Sequence, residues 1–167
     1  MNSSPAAITS LREQSQPSTG DPYLKIRLAD RTPALLPMTY LQEVLVLPVA
    51  RLAPMPGMPP CVLGLLNRRS RVFWAIDLAH LLQLDPLGVN IAQYDLVIAR
   101  VGSNPLAMAV RGVEGIVRAS RDRLQSPHGS ISAGLVPYLR GCVLFASEIS
   151  LVLDVGAIVR SPTLQNY

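Results

Sequence analysis

The chain has 167 residues, 49% of them hydrophobic and 16% charged, with a formal net charge of +4. That is enough apolar material for one globular domain or two small ones, and it excludes a wholly disordered chain. Mean hydropathy is +0.31, but charges or prolines interrupt every apolar run before about 18 residues, which excludes a membrane-spanning helix.

Residues 1–21 are rich in Ser, Gln, Pro and Thr and are predicted to form a flexible N-terminal tail. They have neither a basic n-region nor an apolar h-region, so no secretory signal is expected, and a cytoplasmic location follows. Tyr23, Lys25 and Arg27 alternate with Leu24, Ile26 and Leu28, the period-two pattern of a strand with one wet face. Asp30 and Arg31 mark a turn. An apolar run over 34–38 follows, then YLQEVLVLPV, in which 40–46 reads as a short helix or a strand, with valines and Pro48 favouring extended structure at its end. Four prolines and a glycine in RLAPMPGMPP (51–60) demand a stiff, extended loop.

Next come a strand at 62–66, turn chemistry at 67–70 and a β-branched, aromatic strand at 72–76, together a hairpin. Asp77 is placed as an N-cap for a short helix with Leu78, Leu81 and Leu82 on one face, broken by DPLG (85–88). His80 falls on the wet side of that helix. The second half repeats the theme with apolar segments at 94–101, 106–110, 115–117, 138–145 and 149–155. Turn signals separate them, including Gly112–Gly115 and the polar stretch 120–134. The sequence around Asp154 echoes that around Asp77, a hint of internal duplication. Many short strands with Gly and Pro between them predict an all-β barrel architecture with short helical turns, not βαβ units.

Chemistry is sparse. Cys61 and Cys142 are far apart and read as buried thiols; with only His80 and His128 beside them, a zinc site lacks ligands. No phosphate loop, dinucleotide fingerprint, zincin helix or nucleophile elbow occurs. Asp77 and Asp154 are better explained as helix caps than as a catalytic pair. Fourteen arginines against one lysine, with clusters at Arg68, Arg69, Arg71 and at Arg118, Arg121, Arg123, suit protein interfaces, where a planar guanidinium forks to carboxylates. A basic β-barrel that binds nucleic acid is the alternative reading, carried by Arg68, Arg69, Arg71 and Trp74. With only eight aromatic residues in the chain, it lacks the stacking platform such barrels use.

The segment VLGLLNRRSRVFWAIDLAHLLQL resembles the signature of CheW-like domains: a strand bearing Gly, an Asn-x-Arg-Gly turn, a second apolar strand and an Ile-Asp-Leu helix start. LPMTYLQEV and APMPGMPP upstream, and YDLVIARVGSNPLAMAVRGVEGIV and YLRGCVLFASEISLVLDVGAIV downstream, are similar to further pieces of the same family, in order, over about 23–159. The resemblance implies a CheW-like domain over 22–160 built of two packed five-stranded SH3-like β-barrels. The first is expected at about 22–84 and the second at about 85–160, with an exchange of segments between them left open, and a C-terminal tail at 161–167. It further implies a non-catalytic adaptor, without cofactor or metal, that couples methyl-accepting chemoreceptors to the regulatory domain of a chemotaxis-type histidine kinase. Apolar barrel faces would meet the kinase, and a groove between the barrels would take the receptor's helical signalling tip.

The family's receptor positions fall on Leu41, Glu43, Gly64 and Arg69; no residue is assigned to the kinase. Neither nucleic acid nor direct membrane insertion is expected, and self-association through the same faces stays open. Four residues depart from the pattern: Arg68 stands where an apolar residue is usual, Ser70 replaces the turn glycine, Trp74 a proline, and Arg111 an acidic residue. Altered turn geometry is expected at Ser70. The changed charges imply a dedicated receptor and kinase, as in a pilus-motility or phototaxis pathway.

Overall fold

The computed structural model describes residues 19–127, 129, 131–145 and 147–165. His128 and most of the expected N-terminal tail, residues 1–18, lie outside the described residues.

The alternation at the start of the chain is realised in β1 (Asp21–Ala29), where Leu24, Ile26 and Leu28 are at most 4% exposed and Arg27 faces outward, except that Tyr23, expected on the wet face, is buried in a barrel core. The turn at Asp30 and Arg31 leads to β2 (Thr32–Pro37), whose Ala34, Leu35 and Leu36 are all fully buried because Ala34 and Leu36 pack in one core and Leu35, on the other face, in another. A single 3-10 turn, Met38–Tyr40, reorients the chain into β3 (Leu41–Pro48), settling the ambiguous 40–46 segment as a strand. β4 (Val62–Arg68) and β5 (Arg71–Asp77) form the expected hairpin, followed by α1 (Leu78–Leu81). Then come β6 (Gln93–Val101), β7 (Asn104–Val110), β8 (Gly112–Ala119), β9 (Leu139–Phe145) and β10 (Glu148–Leu153), closed by α2 (Val155–Val159) and α3 (Pro162–Gln165). Gly112 to Gly115 is not a turn: it lies within β8, with Glu114 as an extra residue in a bulge against β1.

The strands form two five-stranded sheets, ordered β8-β1-β2-β10-β9 and β3-β6-β7-β5-β4. This order replaces the expected split near residue 84. The second sheet is one continuous stretch, β3 to β7, inserted between β2 and β8 of the first. The reason is pairing at long range: β1 takes β8 as its antiparallel neighbour, and local apolar periodicity carries no information about a partner some ninety positions away.

The internal echo seen in the sequence is a structural repeat. Each sheet has two antiparallel hairpins joined by a parallel pair at its centre, β2 with β10 and β5 with β7. In each, a glycine follows the first residues of a strand at a register shift, Gly64 in β4 and Gly141 in β9. Both glycines let a loop pass close by. A Cβ on Gly64 would lie 2.4 Å from the Ala53 carbonyl oxygen, and one on Gly141 2.8 Å from that of Gln125. Those loops pair symmetrically, Ala53 with Leu65 and Gln125 with Cys142. Each unit ends on a capping aspartate. Asp77 Oδ1 accepts from the His80 amide at 3.2 Å, and Asp154 Oδ1 from the Ala157 amide at 3.0 Å. Both aspartates are thus spent as caps.

Three apolar cores result. One fills the space between the sheets, where Ile26 and Leu28 meet Ile76, Val97 and Met108 under the two capped helices. A smaller one lies in each barrel, around Phe73 and Leu96 and around Leu35 and Val152. The expected C-terminal tail is corrected over its described part, 161–165. Ser161 is fully buried with its hydroxyl 2.6 Å from that of Tyr138, and Leu164 of α3 packs on the central core. The segment is polar in composition, but its single leucine and serine each find a buried partner.

Candidate functional site

β3 and β4 stand at opposite ends of one sheet's strand order. The curl of that sheet brings them together. On β3, Gln42 is bulged between the pairs Leu41–Ala99 and Glu43–Ile98, which turns Glu43 toward the seam. At the end of β4, Arg68 answers it: Nε donates to Glu43 Oε1 at 3.0 Å, and Nη2 donates to the same oxygen. Arg69 reaches that oxygen only at 3.9 Å, and its side chain is 80% exposed. The hydrogen bonds from Arg68 hold the Glu43 carboxyl below its ordinary range, and Glu43 in turn raises Arg68.

The turn that carries these arginines is tight. Arg68 pairs with Arg71, leaving Arg69 and Ser70 as a two-residue loop with φ of 51° and 62°. Positive φ at both positions is the type I′ pattern, whose twist matches that of the strands. Ser70 therefore adopts the left-handed conformation, which costs a serine more than a glycine. Around the turn, Gln42, Glu43, Arg68, Arg69, Arg71, Phe73 and Ile98 line a cleft of about 370 Å³.

Of the four residues expected at a receptor site, the structure brings Glu43 and Arg69 to this cleft. Leu41 is half-buried and packs on the central core, and Gly64 is buried under Ala53. Neither lines the cleft. Sequence reasoning missed Arg68 as the partner of Glu43, along with Gln42, Arg71, Phe73 and Ile98. The hairpin register, which opposes Arg68 to Arg71, was the available signal.

The other features offer less. The second arginine cluster is tied into its own fold: Arg118 donates to the Gly20 carbonyl at 3.1 Å, Arg121 pairs with Asp21 at 3.6 Å, and Arg123 stacks on Phe145. Trp74 is 37% exposed and lines an apolar groove of about 260 Å³ with Val62, Val72, Leu106 and Leu164, while Tyr23, Phe73 and Tyr138 are buried. No aromatic row follows a basic groove among these residues. His80, expected to be solvated, is half-buried. Burial pushes the Cys61 thiol up, away from thiolate chemistry. Among the described residues, no three His, Cys, Asp or Glu side chains converge as a metal site would require, and no helix is long and apolar enough to cross a membrane.

Comparison with known proteins adds two findings. A family model described as the CheW-like domain matches residues 22–163. The crystal structure of the scaffolding protein TtCheW from Thermoanaerobacter tengcongensis is similar in fold, with a TM-score of 0.69 at 14% identity over 81% of this chain and 89% of that one. No curated protein sequence matches the chain.

Proposed function

The chain belongs to the CheW-like domain family, whose members are non-catalytic chemotaxis scaffolds, and on that premise we propose that it is a signalling adaptor coupling methyl-accepting chemoreceptors to the regulatory domain of a chemotaxis-type histidine kinase. One observation carries the reading beyond family membership. The cleft at the tip of the β4–β5 hairpin gathers three guanidinium groups and one carboxylate, Glu43, which Arg68 holds in an ion pair. Such a surface suits binding and orienting a partner. Glu43 and Arg69 contact the receptor tip there. Leu41 and Gly64 act through position: Leu41 anchors β3 to the core, and Gly64 lets the 51–60 loop close against β4.

The departures at Arg68, Ser70, Trp74 and Arg111 suit a dedicated receptor and kinase, as in a pilus-motility or phototaxis system. We place the adaptor in the cytoplasm, where a receptor's signalling tip and a kinase are both within reach. The direct test is co-purification with a histidine kinase's regulatory domain and with a receptor signalling tip. Retention of both supports coupling, and retention of neither overturns it.

A further inference from the structure

The repeat that relates the two barrels fixes which positions correspond, and at one place the two differ in chemistry. In the barrel of Phe73 and Leu96, Val49 opens the 3-10 turn Val49–Arg51, Leu52 precedes the bridging residue Ala53, and Leu63 precedes Gly64. Leu52 and Leu63 both pack on that barrel's core. In the barrel of Leu35 and Val152, Arg121 opens the 3-10 turn Arg121–Arg123, Leu124 precedes the bridging residue Gln125, and Arg140 precedes Gly141. Two apolar positions of one barrel are therefore arginines in the other. Here the second barrel holds a cleft of about 490 Å³, lined by both arginines.

The floor of this cleft is apolar: Tyr23 and Val152 belong to the barrel core, and Leu124 packs on it. The arginines are its exposed wall, each with a single distant ionic contact. Arg121 Nε lies 3.6 Å from Asp21, and Arg140 Nε lies 3.7 Å from Asp154. Both distances exceed hydrogen-bond length, and Asp154 already accepts from the Ala157 amide. The neighbouring Arg118 and Arg123 differ, since they donate to the carbonyls of Gly20 and Leu144. Two guanidinium forks thus stand unspent over an apolar floor.

We infer that this cleft binds a small amphipathic anion, with a carboxylate or phosphate head on a short apolar body. The inference is independent of the adaptor reading. A planar guanidinium matches two oxygens of either head at once. Asp21 is 60% exposed at the side chain, so water screens its hold on Arg121 and an entering anion displaces it. The apolar body gains by leaving water against Tyr23, Leu124 and Val152. Volume, apolar floor and a few polar groups on one wall are the attributes of a small-molecule site. An uncharged or cationic amphiphile leaves the forks unmatched, and a bare anion leaves the floor wet.

The test titrates the full chain with octanoate, octyl phosphate, octanol, octylammonium and inorganic phosphate, below the concentrations at which the amphiphiles aggregate. Binding is read by calorimetry and by methyl NMR. Octanoate and octyl phosphate should each saturate one site, at least about tenfold more tightly than the other three probes. The methyl signals that move should be those of Leu124 and Val152. Arg140→Leu, which copies Leu63 of the other barrel, should weaken octanoate at least about tenfold while circular dichroism stays unchanged. Arg121→Gln, at an exposed position, should weaken octanoate and leave octanol as it was. Arg118→Gln, outside the cleft, should change neither. Equal affinity for octanoate and octanol, or full octanoate binding by both Arg121→Gln and Arg140→Leu, overturns the inference. So do shifts confined to Val72, Leu106 and Leu164 around Trp74, and so does the absence of saturable binding by the unmodified chain.

Discussion

Arg68 donates through Nε to Oε1 of Glu43 at 3.0 Å, and this contact closes the seam between β4 and β3, the two end strands of one curled sheet. Its partners are 34% and 24% exposed at the side chain. Water therefore screens the pair, and its main effect is geometric: it fixes the turn that presents Arg69.

The ion pair makes stability depend on acid. Glu43 is held below its ordinary range when folded, so its contribution is complete above the unfolded carboxylate's pKa and is lost as pH falls through the lower, folded one. Melting curves should show a stability gap between the native chain and Glu43→Gln at neutral pH that closes under strongly acid conditions. A gap that persists unchanged into acid would mean that the carboxylate's charge is not what Arg68 holds.

Ser70 occupies the left-handed region at a φ of 62° without being a glycine. Ser70→Gly relieves that strain but makes the unfolded chain freer, for a net gain of roughly 0.5–1 kcal/mol. Chemical denaturation should show a higher midpoint with an unchanged slope. A lower midpoint would show that the serine is not strained.

Gly64 and Gly141 are the matched points where a loop crosses a strand. Alanine at either forces a Cβ against a backbone oxygen, at 2.4 Å and 2.8 Å, and should cost about 2–3 kcal/mol. Because the approach at Gly64 is the closer of the two, the cost there should be the larger. Thermal melts that rank Gly141→Ala as the more damaging would contradict the equivalence drawn between the two halves.

Tyr138 and the fully buried Ser161 share one hydrogen bond of 2.6 Å between the turn that precedes β9 and the start of α3. Tyr138→Phe leaves the serine hydroxyl unpaired and should cost about 1–2 kcal/mol, part of which Ser161→Ala then recovers. Strictly additive losses in the two single variants and the double would mean that the hydroxyls do not interact.

The local structure was legible in the chain. Alternation at Leu24, Ile26 and Leu28 fixed a strand, and the spacing of Asp77 and Asp154 before apolar residues fixed two caps. The assignment of strands to sheets was not, because β1 pairs with β8 through a bulge at Glu114, and neither the partner nor the bulge leaves a local pattern. The site was half legible. Glu43 and Arg69 followed from the family's motif, but Arg68 looked like a misplaced charge until the curl of the sheet put Glu43 within its reach. Gly64 was expected beside the receptor groove, and it lies under Ala53 in the fold beneath the cleft, not at the cleft's surface.

The central claim is that the exposed arginine of this turn contacts the receptor. Arg69 is 80% exposed at the side chain and makes only one distant ionic contact, so Arg69→Glu should leave the fold within about 0.5 kcal/mol of the native chain. The measurement is retention of a receptor signalling tip on the immobilised adaptor, with the kinase regulatory domain as a parallel probe. The account predicts that Arg69→Glu loses most of the tip while circular dichroism and melting stay unchanged. Undiminished retention of the tip by a folded Arg69→Glu chain would contradict it.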